Sequence, residues 1–185
     1  MSSSLAGALP AATLVLGGAR SGKSRYAEAL VAGAAGSATY IATAEPGDAE
    51  MAARIAAHRA RRQEHGGGAF WRTLEAPLDL AGAIRSTTEA ERPVLVDCLT
   101  LWLANLMGAG RGVEHEAEAL GAALREAQGP VVLVANEVGM GLVPETPLGR
   151  AFRDAAGRLN QSVAAQADRV VFVAAGLPLV LKGER

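Results

Sequence analysis

Short apolar runs alternate along the chain with longer segments in which apolar residues recur every three or four positions. The short runs predict buried strands at residues 13–16, 38–43, 94–96, 131–135 and 170–174. The longer segments predict helices near residues 22–33, 48–64, 78–90, 114–127 and 148–167. Strands that alternate with helices are typical of βαβ units. We therefore expect an α/β fold, with a mostly parallel sheet flanked by helices.

The two ends of the chain depart from this alternation. Residues 170–174, a turn at 175–178 and a second apolar run at 179–182 predict a C-terminal hairpin. Its last strand would pair antiparallel at the edge of the sheet. We expect residues 1–12 to form a loose leader and residues 13–185 a single domain, since a chain of 185 residues suits one core.

Composition and charge narrow the possible partners. Half of the residues are hydrophobic and only 4% are aromatic, so the core must consist mainly of Ala, Val and Leu. A net charge of −1 gives no general attraction to nucleic acid or to an anionic membrane. The single cysteine, Cys98, excludes an internal disulfide and suggests a reducing compartment. Because no apolar run could span a bilayer, we expect a cytoplasmic protein without membrane insertion.

The strongest chemical signal is the sequence Gly-Gly-Ala-Arg-Ser-Gly-Lys-Ser at residues 17–24, called here the glycine loop. It matches the pattern G-x-x-x-x-G-K-[ST] and lies between a predicted strand and a predicted helix. In such a loop, successive backbone N–H groups surround a phosphate at a helix N-terminus. Lys23 would reach the outer phosphates and Ser24 would bind Mg²⁺. The pattern predicts a P-loop nucleotide-binding domain, and a merely structural glycine-rich turn is a weak alternative. The predicted phosphate-binding residues are Gly17, Gly18, Ala19, Arg20, Ser21, Gly22, Lys23 and Ser24.

Polar side chains at the ends of other predicted strands are further candidates, because ligands bind beyond the carboxyl ends of parallel strands. Asp97 ends a buried run and is suited to hold Mg²⁺ opposite Ser24, with Glu137 as the competing carboxylate. Thr43 either contacts the base or ribose of a nucleotide or simply lies where an ordinary strand passes into a loop. Glu75 either accepts from a nucleotide or is an exposed loop acid.

The predicted helix at residues 48–64 carries a basic face. Helical spacing places Arg54, His58 and either Arg61 or Arg62 on one side. A neutral imidazole can attack a phosphorus atom, while arginines neutralise the charge that develops on the phosphoryl oxygens. Taken alone, the pattern fits a solvated basic face at least as well, with His58 incidental.

The segment that follows residues 131–135 contains two glycines, a methionine and a proline. Loops in this position bind substrates, and the side chains of Met140 and Leu142 would suit a bulky acceptor. A structural turn is the alternative, and the sequence pattern does not choose between them.

Several motifs together resemble one family. They are the glycine loop with Arg25, Tyr40-Ile41-Ala42-Thr43, Met51-Ala52-Ala53-Arg54-Ile55 with His58, Trp71-Arg72-Thr73 with Glu75, Asn136-Glu137-Val138-Gly139-Met140-Gly141 with Val143-Pro144-Glu145, and Gly157-Arg158 with Asn160-Gln161. From Thr13 to Lys182 the chain is similar to the bifunctional adenosylcobinamide kinase / adenosylcobinamide-phosphate guanylyltransferases of cobalamin biosynthesis.

The resemblance implies two reactions. ATP or GTP would phosphorylate adenosylcobinamide, and GTP would then transfer GMP to adenosylcobinamide phosphate through a GMP–histidine intermediate on His58. It also implies Mg²⁺ and a homotrimer. The residues that it implies for nucleotide binding, besides the glycine loop, are Ile41, Ala42, Thr43, Arg59, Ala60, Arg61, Arg62, Glu75 and Asp97.

Two other functions remain as alternatives. One is a P-loop small-molecule kinase that lacks nucleotidyl transfer. The other is a guanine-nucleotide-binding regulatory module. The second is disfavoured because residues 136–139, Asn-Glu-Val-Gly, do not supply the Asn-Lys-x-Asp motif that reads guanine in such proteins.

Overall fold

A central sheet with helices on both faces is the framework of the molecule. The computed structural model describes residues 8–45, 47, 53, 56, 60 and 70–184. The strands are β1 (Ala12–Gly17), β2 (Ala38–Ala42), β3 (Trp71–Glu75), β4 (Val94–Asp97), β5 (Val131–Asn136), β6 (Arg169–Ala174) and β7 (Leu177–Lys182). The helices are α1 (Lys23–Ala32), α2 (Leu80–Thr87), α3 (Leu99–Gly108), α4 (Val113–Glu126) and α5 (Pro147–Gln166).

The strands form one sheet in the order β3-β2-β4-β5-β1-β6-β7. Every neighbouring pair is parallel except β6 and β7, which are antiparallel. This confirms the predicted α/β class and the antiparallel strand at the C-terminal edge. Because β1 lies between β5 and β6, the segments that follow all three strands leave the sheet side by side.

Alternate residues of the central strands supply two hydrophobic cores. Leu14 points to the face that is covered by α2, α3, α4 and α5, where Trp102 of α3 is fully buried. Val15, the next residue, points to the opposite face, which α1 covers with Leu30 and Val31. Strands buried on both faces are expected to be continuously apolar, which is how β1, β4 and β5 read.

Helix α3 is absent from the sequence-based prediction. It begins at Leu99, directly after the Cys98 that follows β4, so no turn residues announce it. Its sequence, LTLWLANLMG, is apolar around most of its circumference and lacks the periodic contrast by which helices are recognised. Its four fully buried side chains are Leu99, Trp102, Leu103 and Leu106.

Other boundaries differ in smaller ways. The hairpin turn is only Ala175 and Gly176, so β7 begins at Leu177, two residues earlier than predicted. Both turn residues have positive φ, 51° and 80°, as a two-residue turn that matches the strand twist requires. The leader and the single-domain boundary stay predictions, because residues 1–7 lie outside the described residues. Strand β1 includes Ala12, which the leader was predicted to contain.

Part of the predicted helix at 48–64 lies within the described residues. Ala53, Ala56 and Ala60 are helical and exposed. Within the part of the chain that the structure describes, no helix combines the length and the apolar character that crossing a membrane requires.

Candidate active site

The glycine loop joins β1 to α1 and needs glycine at two positions for steric reasons. A Cβ on Gly17 would lie 2.5 Å from Ser21 Oγ and 2.6 Å from the carbonyl oxygen of Val173 on β6. Gly22, the residue before α1, has φ of 96°, a left-handed conformation that disfavours a side chain. These two residues let the backbone fold back and start the helix within a few residues.

Backbone hydrogen bonds hold the glycine loop from both sides. The N–H of Glu137, just after β5, donates to the carbonyl oxygen of Gly17 at 3.1 Å. The N–H of Gly176, in the β6–β7 turn, donates to the carbonyl oxygen of Ser21 at 2.8 Å. The loop is therefore fixed by the two strands that flank β1.

Lys23 contacts the backbone of the glycine loop, and the middle of that loop is exposed. Lys23 is buried, and its Nζ donates to the carbonyl oxygen of Gly18 at 3.1 Å, so the ammonium group lies across the loop. Ala19 and Arg20 are exposed, and Arg20 has φ of 57°. Successive N–H groups in such a conformation form an anion-binding concavity.

Asp97 lies at the carboxyl end of β4, within reach of the start of α1. Ser24 Oγ donates to Asp97 Oδ1 at 3.4 Å, and the Tyr40 hydroxyl donates to Asp97 Oδ2 at 3.0 Å. Tyr40 belongs to β2, which neighbours β4, and is 4% exposed. The carboxylate is thus held between two hydroxyl groups, one of which belongs to the glycine loop.

The competing carboxylate, Glu137, is directed elsewhere. Its Oε1 accepts a hydrogen bond from the N–H of Gly139 at 2.5 Å, which closes a short turn in its own loop. Since Asp97 contacts Ser24 and Glu137 contacts its own backbone, the geometry favours Asp97 as the predicted metal ligand.

Thr43 forms buried hydrogen bonds with the segment that follows Asp97. It is fully buried, and its hydroxyl donates to the carbonyl oxygen of Cys98 at 2.8 Å and accepts from the N–H of Cys98 at 2.9 Å. Its own carbonyl oxygen accepts from Asn105 Nδ2 at 2.8 Å. These bonds tie the segment after β2 to the segment after Asp97. A direct contact between Thr43 and a nucleotide stays a prediction.

The backbone of Cys98 takes part in these hydrogen bonds, and its buried thiol has a low reactivity. Burial, reinforced by the negative charge of Asp97, raises the pKa of its thiol from 9.0 to about 11. The thiol therefore remains protonated at neutral pH, and a nucleophilic role for Cys98 is disfavoured.

The other predicted nucleotide-binding residues near β2 and β3 differ in their exposure. The side chain of Ile41 is fully buried in the core, Ala42 is half-buried, and Glu75 is exposed at the end of β3. Ala42 and Glu75 are paired in the parallel register, so both strands end at the same edge as Asp97. Their contacts with a nucleotide stay predictions.

The basic helix face lies almost wholly outside the described residues. This applies to His58, Arg54, Arg59, Arg61 and Arg62, whose positions relative to the glycine loop stay predictions. Ala60, a further predicted nucleotide-binding residue, is helical and exposed.

Tyr40 is a site residue to which the sequence analysis assigned no role. It stands in an apolar strand two residues before the strand end, where it reads as a core aromatic residue. A tyrosine hydroxyl near the end of a buried strand is only a weak sequence signal for a site residue. Its contact with Asp97 becomes visible only once β4 is placed beside β2. The same holds for Thr100, whose Oγ1 accepts from the N–H of Asn136 at 2.7 Å.

A glycine loop between β1 and α1, a buried lysine and an aspartate at the end of β4 together define a P-loop nucleotide-binding protein. Comparison with known proteins identifies the family. Residues 13–181 match the family described as CobU, cobinamide kinase / cobinamide phosphate guanyltransferase, and the chain belongs to this family of enzymes.

Similar proteins support the assignment over nearly the whole chain. The bifunctional adenosylcobalamin biosynthesis protein CobP of Pseudomonas aeruginosa is 53% identical over 173 residues, which cover 92% of this chain and 97% of that protein. The protein CobU of Salmonella typhimurium, which bears the same bifunctional description, is 43% identical over 184 residues, covering 91% and 98%. The family resemblance seen in the sequence is thereby confirmed.

Solved structures with low sequence identity share the fold. The flagellar accessory protein FlaH of Methanocaldococcus jannaschii has a TM-score of 0.55 at 12% identity, covering 98% of this chain and 83% of that one. The RadB recombinase has a TM-score of 0.55 at 16% identity, covering 90% and 76%. At this identity the likeness concerns the fold alone.

Proposed function

We propose that this protein phosphorylates adenosylcobinamide with ATP or GTP and then transfers GMP from GTP to adenosylcobinamide phosphate, releasing pyrophosphate. The product is adenosylcobinamide-GDP. The observation that carries the proposal is the arrangement of Lys23, Ser24 and Asp97 around the glycine loop, in a chain that belongs to a family of kinase–guanylyltransferases.

In the first reaction, the acceptor hydroxyl oxygen attacks the γ-phosphorus. The bond from that phosphorus to the bridging oxygen breaks, the nucleoside diphosphate leaves, and the hydroxyl proton passes to solvent. Such transfer depends on positioning and on neutralisation of the phosphoryl oxygens. The backbone of the glycine loop would hold the phosphates, and the ammonium group of Lys23 would move from the Gly18 carbonyl to them.

The residues present suit a bound Mg²⁺. Mg²⁺ prefers oxygen ligands at about 2.0–2.1 Å in octahedral geometry, so two adjacent ligands lie about 3 Å apart. Ser24 Oγ and Asp97 Oδ1 are 3.4 Å apart, close to that separation. We propose that these two groups hold the ion. Bound there with a nucleotide, it would supply positive charge to the phosphates.

In the second reaction we propose His58 as the nucleophile. Its imidazole nitrogen attacks the α-phosphorus of GTP and pyrophosphate leaves, which gives a phosphoramidate-linked GMP. A phosphate oxygen of the acceptor then attacks the same phosphorus and the imidazole leaves. Splitting a difficult transfer into two displacements is the general advantage of covalent catalysis. The predicted basic residues around His58 would neutralise the charge on the α-phosphate.

Labelling with α-labelled GTP and Mg²⁺, without acceptor, tests this proposal. We expect an acid-labile, base-stable label on the parent protein, mapped to His58 by peptide analysis. His58→Ala should lose the label and retain phosphorylation of adenosylcobinamide, while Lys23→Ala should lose both.

The outcomes separate the alternatives. An unlabelled parent protein that still phosphorylates the acceptor would indicate a kinase without nucleotidyl transfer. Binding of GTP without either reaction would indicate a regulatory module. A label that persists in His58→Ala would exclude His58 as the carrier. We also propose the homotrimer implied by the family resemblance, which sedimentation of the parent protein tests directly.

A further inference from the structure

The segment between β5 and α5 presents large apolar side chains to water. Residues 137–146, called here the apolar loop, include Met140, Leu142 and Val143, which are 79%, 97% and 64% exposed. Leu148, in the first turn of α5, is 70% exposed. Burial of apolar side chains stabilises a folded protein, and these four side chains forgo that contribution. Several large apolar side chains exposed within one short stretch of chain indicate a surface that binds a partner or ligand.

The apolar loop has a built conformation, fixed at both ends. Its first residue donates to the glycine loop, from the N–H of Glu137 to the carbonyl oxygen of Gly17 at 3.1 Å. At its other end, Arg150 Nη1 donates to the carbonyl oxygens of Pro144 at 3.1 Å and Glu145 at 2.7 Å. Thr146 caps α5 by accepting from the N–H of Gly149 at 3.1 Å. These hydrogen bonds fix the backbone at both ends of the loop that carries the exposed apolar side chains.

The position of the apolar loop connects it to the phosphates. Strand β5 pairs with β1, and Asn136 is opposite Gly17 in the register. An extended chain spans at most about 3.3–3.6 Å per residue, so Leu142, five residues beyond Glu137, lies within about 18 Å of Glu137, which contacts the glycine loop. A large acceptor resting on this surface could place a flexible arm at the γ-phosphate.

We propose that the apolar loop binds the corrin ring of the acceptor, with Met140, Leu142 and Val143 against the ring. This inference rests on the proposed function, which requires a large macrocyclic acceptor whose ring carries methyl groups. The thioether of Met140 adapts to irregular apolar shapes, which suits such a ring. The apolar loop begins at Glu137, whose N–H contacts the glycine loop. The hydroxyl that accepts the phosphoryl group lies on the side arm of the ring.

The test compares three variants of the full chain. Leu142→Ser and the double variant Met140→Ser with Leu142→Ser remove the apolar surface. Leu181→Ser is the matched control: Leu181 is 57% exposed on β7, beside the residue that pairs with Val170, at the opposite end of the strands from the glycine loop. Equilibrium dialysis measures the Kd of adenosylcobinamide from its visible absorbance, and a fluorescent GTP analogue measures nucleotide affinity.

We expect Leu142→Ser to weaken adenosylcobinamide binding roughly tenfold and the double variant by roughly a hundredfold, from loss of apolar burial. Nucleotide affinity and GMP labelling without acceptor should stay at the parent level, and Leu181→Ser should match the parent throughout. Unchanged acceptor affinity in both loop variants would overturn the inference. So would a lower particle mass of the loop variants in sedimentation, because the surface would then contact a second copy. Failure of the parent protein to bind adenosylcobinamide, or to become labelled by GTP, would instead overturn the proposed function.

Discussion

Replacing Gly17 with alanine should damage the protein far more than the same change one residue later. The new methyl group of Gly17→Ala would lie 2.5 Å from Ser21 Oγ and 2.6 Å from the Val173 carbonyl oxygen. The hydroxyl can rotate away, but the carbonyl belongs to the ladder between β1 and β6 and cannot move alone. Overpacking of this kind costs about 1–3 kcal/mol. A Cβ on Gly18 meets nothing within 4 Å, so Gly18→Ala should change the free energy of unfolding by less than about 0.5 kcal/mol.

Thermal unfolding of the two variants in the same buffer measures this difference. For a domain of this size, 1 kcal/mol shifts Tm by about 2–4 °C, so Gly17→Ala should lower Tm by about 2–12 °C. Because the displaced backbone is the start of the phosphate-binding loop, its affinity for a fluorescent nucleotide analogue should also fall. If both variants unfold at the same temperature as the parent protein, the close packing between the glycine loop and β6 is not as described.

Three further experiments test the surroundings of Asp97: substitutions at two positions and chemical labelling of the parent protein. Thr43→Val keeps the shape but removes both hydrogen bonds to the backbone of Cys98, and should lower the free energy of unfolding in urea by about 1–3 kcal/mol; Thr43→Ser keeps the hydroxyl and should lose less. Cys98 should resist iodoacetamide at pH 8 until the protein is denatured, because its pKa is raised to about 11. Rapid labelling of the folded protein would contradict the raised pKa. Because folding favours the protonated thiol, Cys98 contributes stability that is fully present below about pH 9 and is lost as the pH rises through about 11. Tyr40→Phe removes the hydrogen bond to Asp97 Oδ2 and should raise the Mg²⁺ concentration for half-maximal phosphorylation about tenfold, with kcat at saturating Mg²⁺ nearly unchanged. An unchanged Mg²⁺ requirement would show that Tyr40 does not position the carboxylate.

The parts of the fold that the sequence predicts are those with strong local patterns. Continuous apolar runs such as 131–135 identify buried strands, and the alternation with helices identifies a parallel sheet. Helix α3 escapes because it is apolar on nearly all sides and follows β4 without a turn. The short run 71–75 is β-like in sequence, but its place beside β2 at the sheet edge depends on pairing between distant segments.

The candidate site divides in the same way. The glycine loop has a fixed spacing, and Asp97 follows an apolar strand, so both can be proposed from local sequence. The choice between Asp97 and Glu137 depends on the three-dimensional structure, because both are carboxylates at the carboxyl ends of neighbouring apolar strands and only their contacts distinguish them. The contacts of Tyr40 and Thr43 likewise depend on how β2 lies against β4. The exposure of Leu142 cannot be read from its hydrophobicity, which by itself favours burial.

The hydrogen bond from the N–H of Gly176 to the carbonyl oxygen of Ser21 joins the β6–β7 hairpin to the glycine loop, so we expect nucleotide occupancy to affect the hairpin. Any ligand that orders the glycine loop also favours the conformation of the turn that holds it, by thermodynamic linkage. Backbone amides of the β6–β7 hairpin should therefore exchange with deuterium more slowly when nucleotide is bound. Conversely, a substitution that destabilises the hairpin should lower the affinity for nucleotide without altering any residue of the phosphate-binding motif.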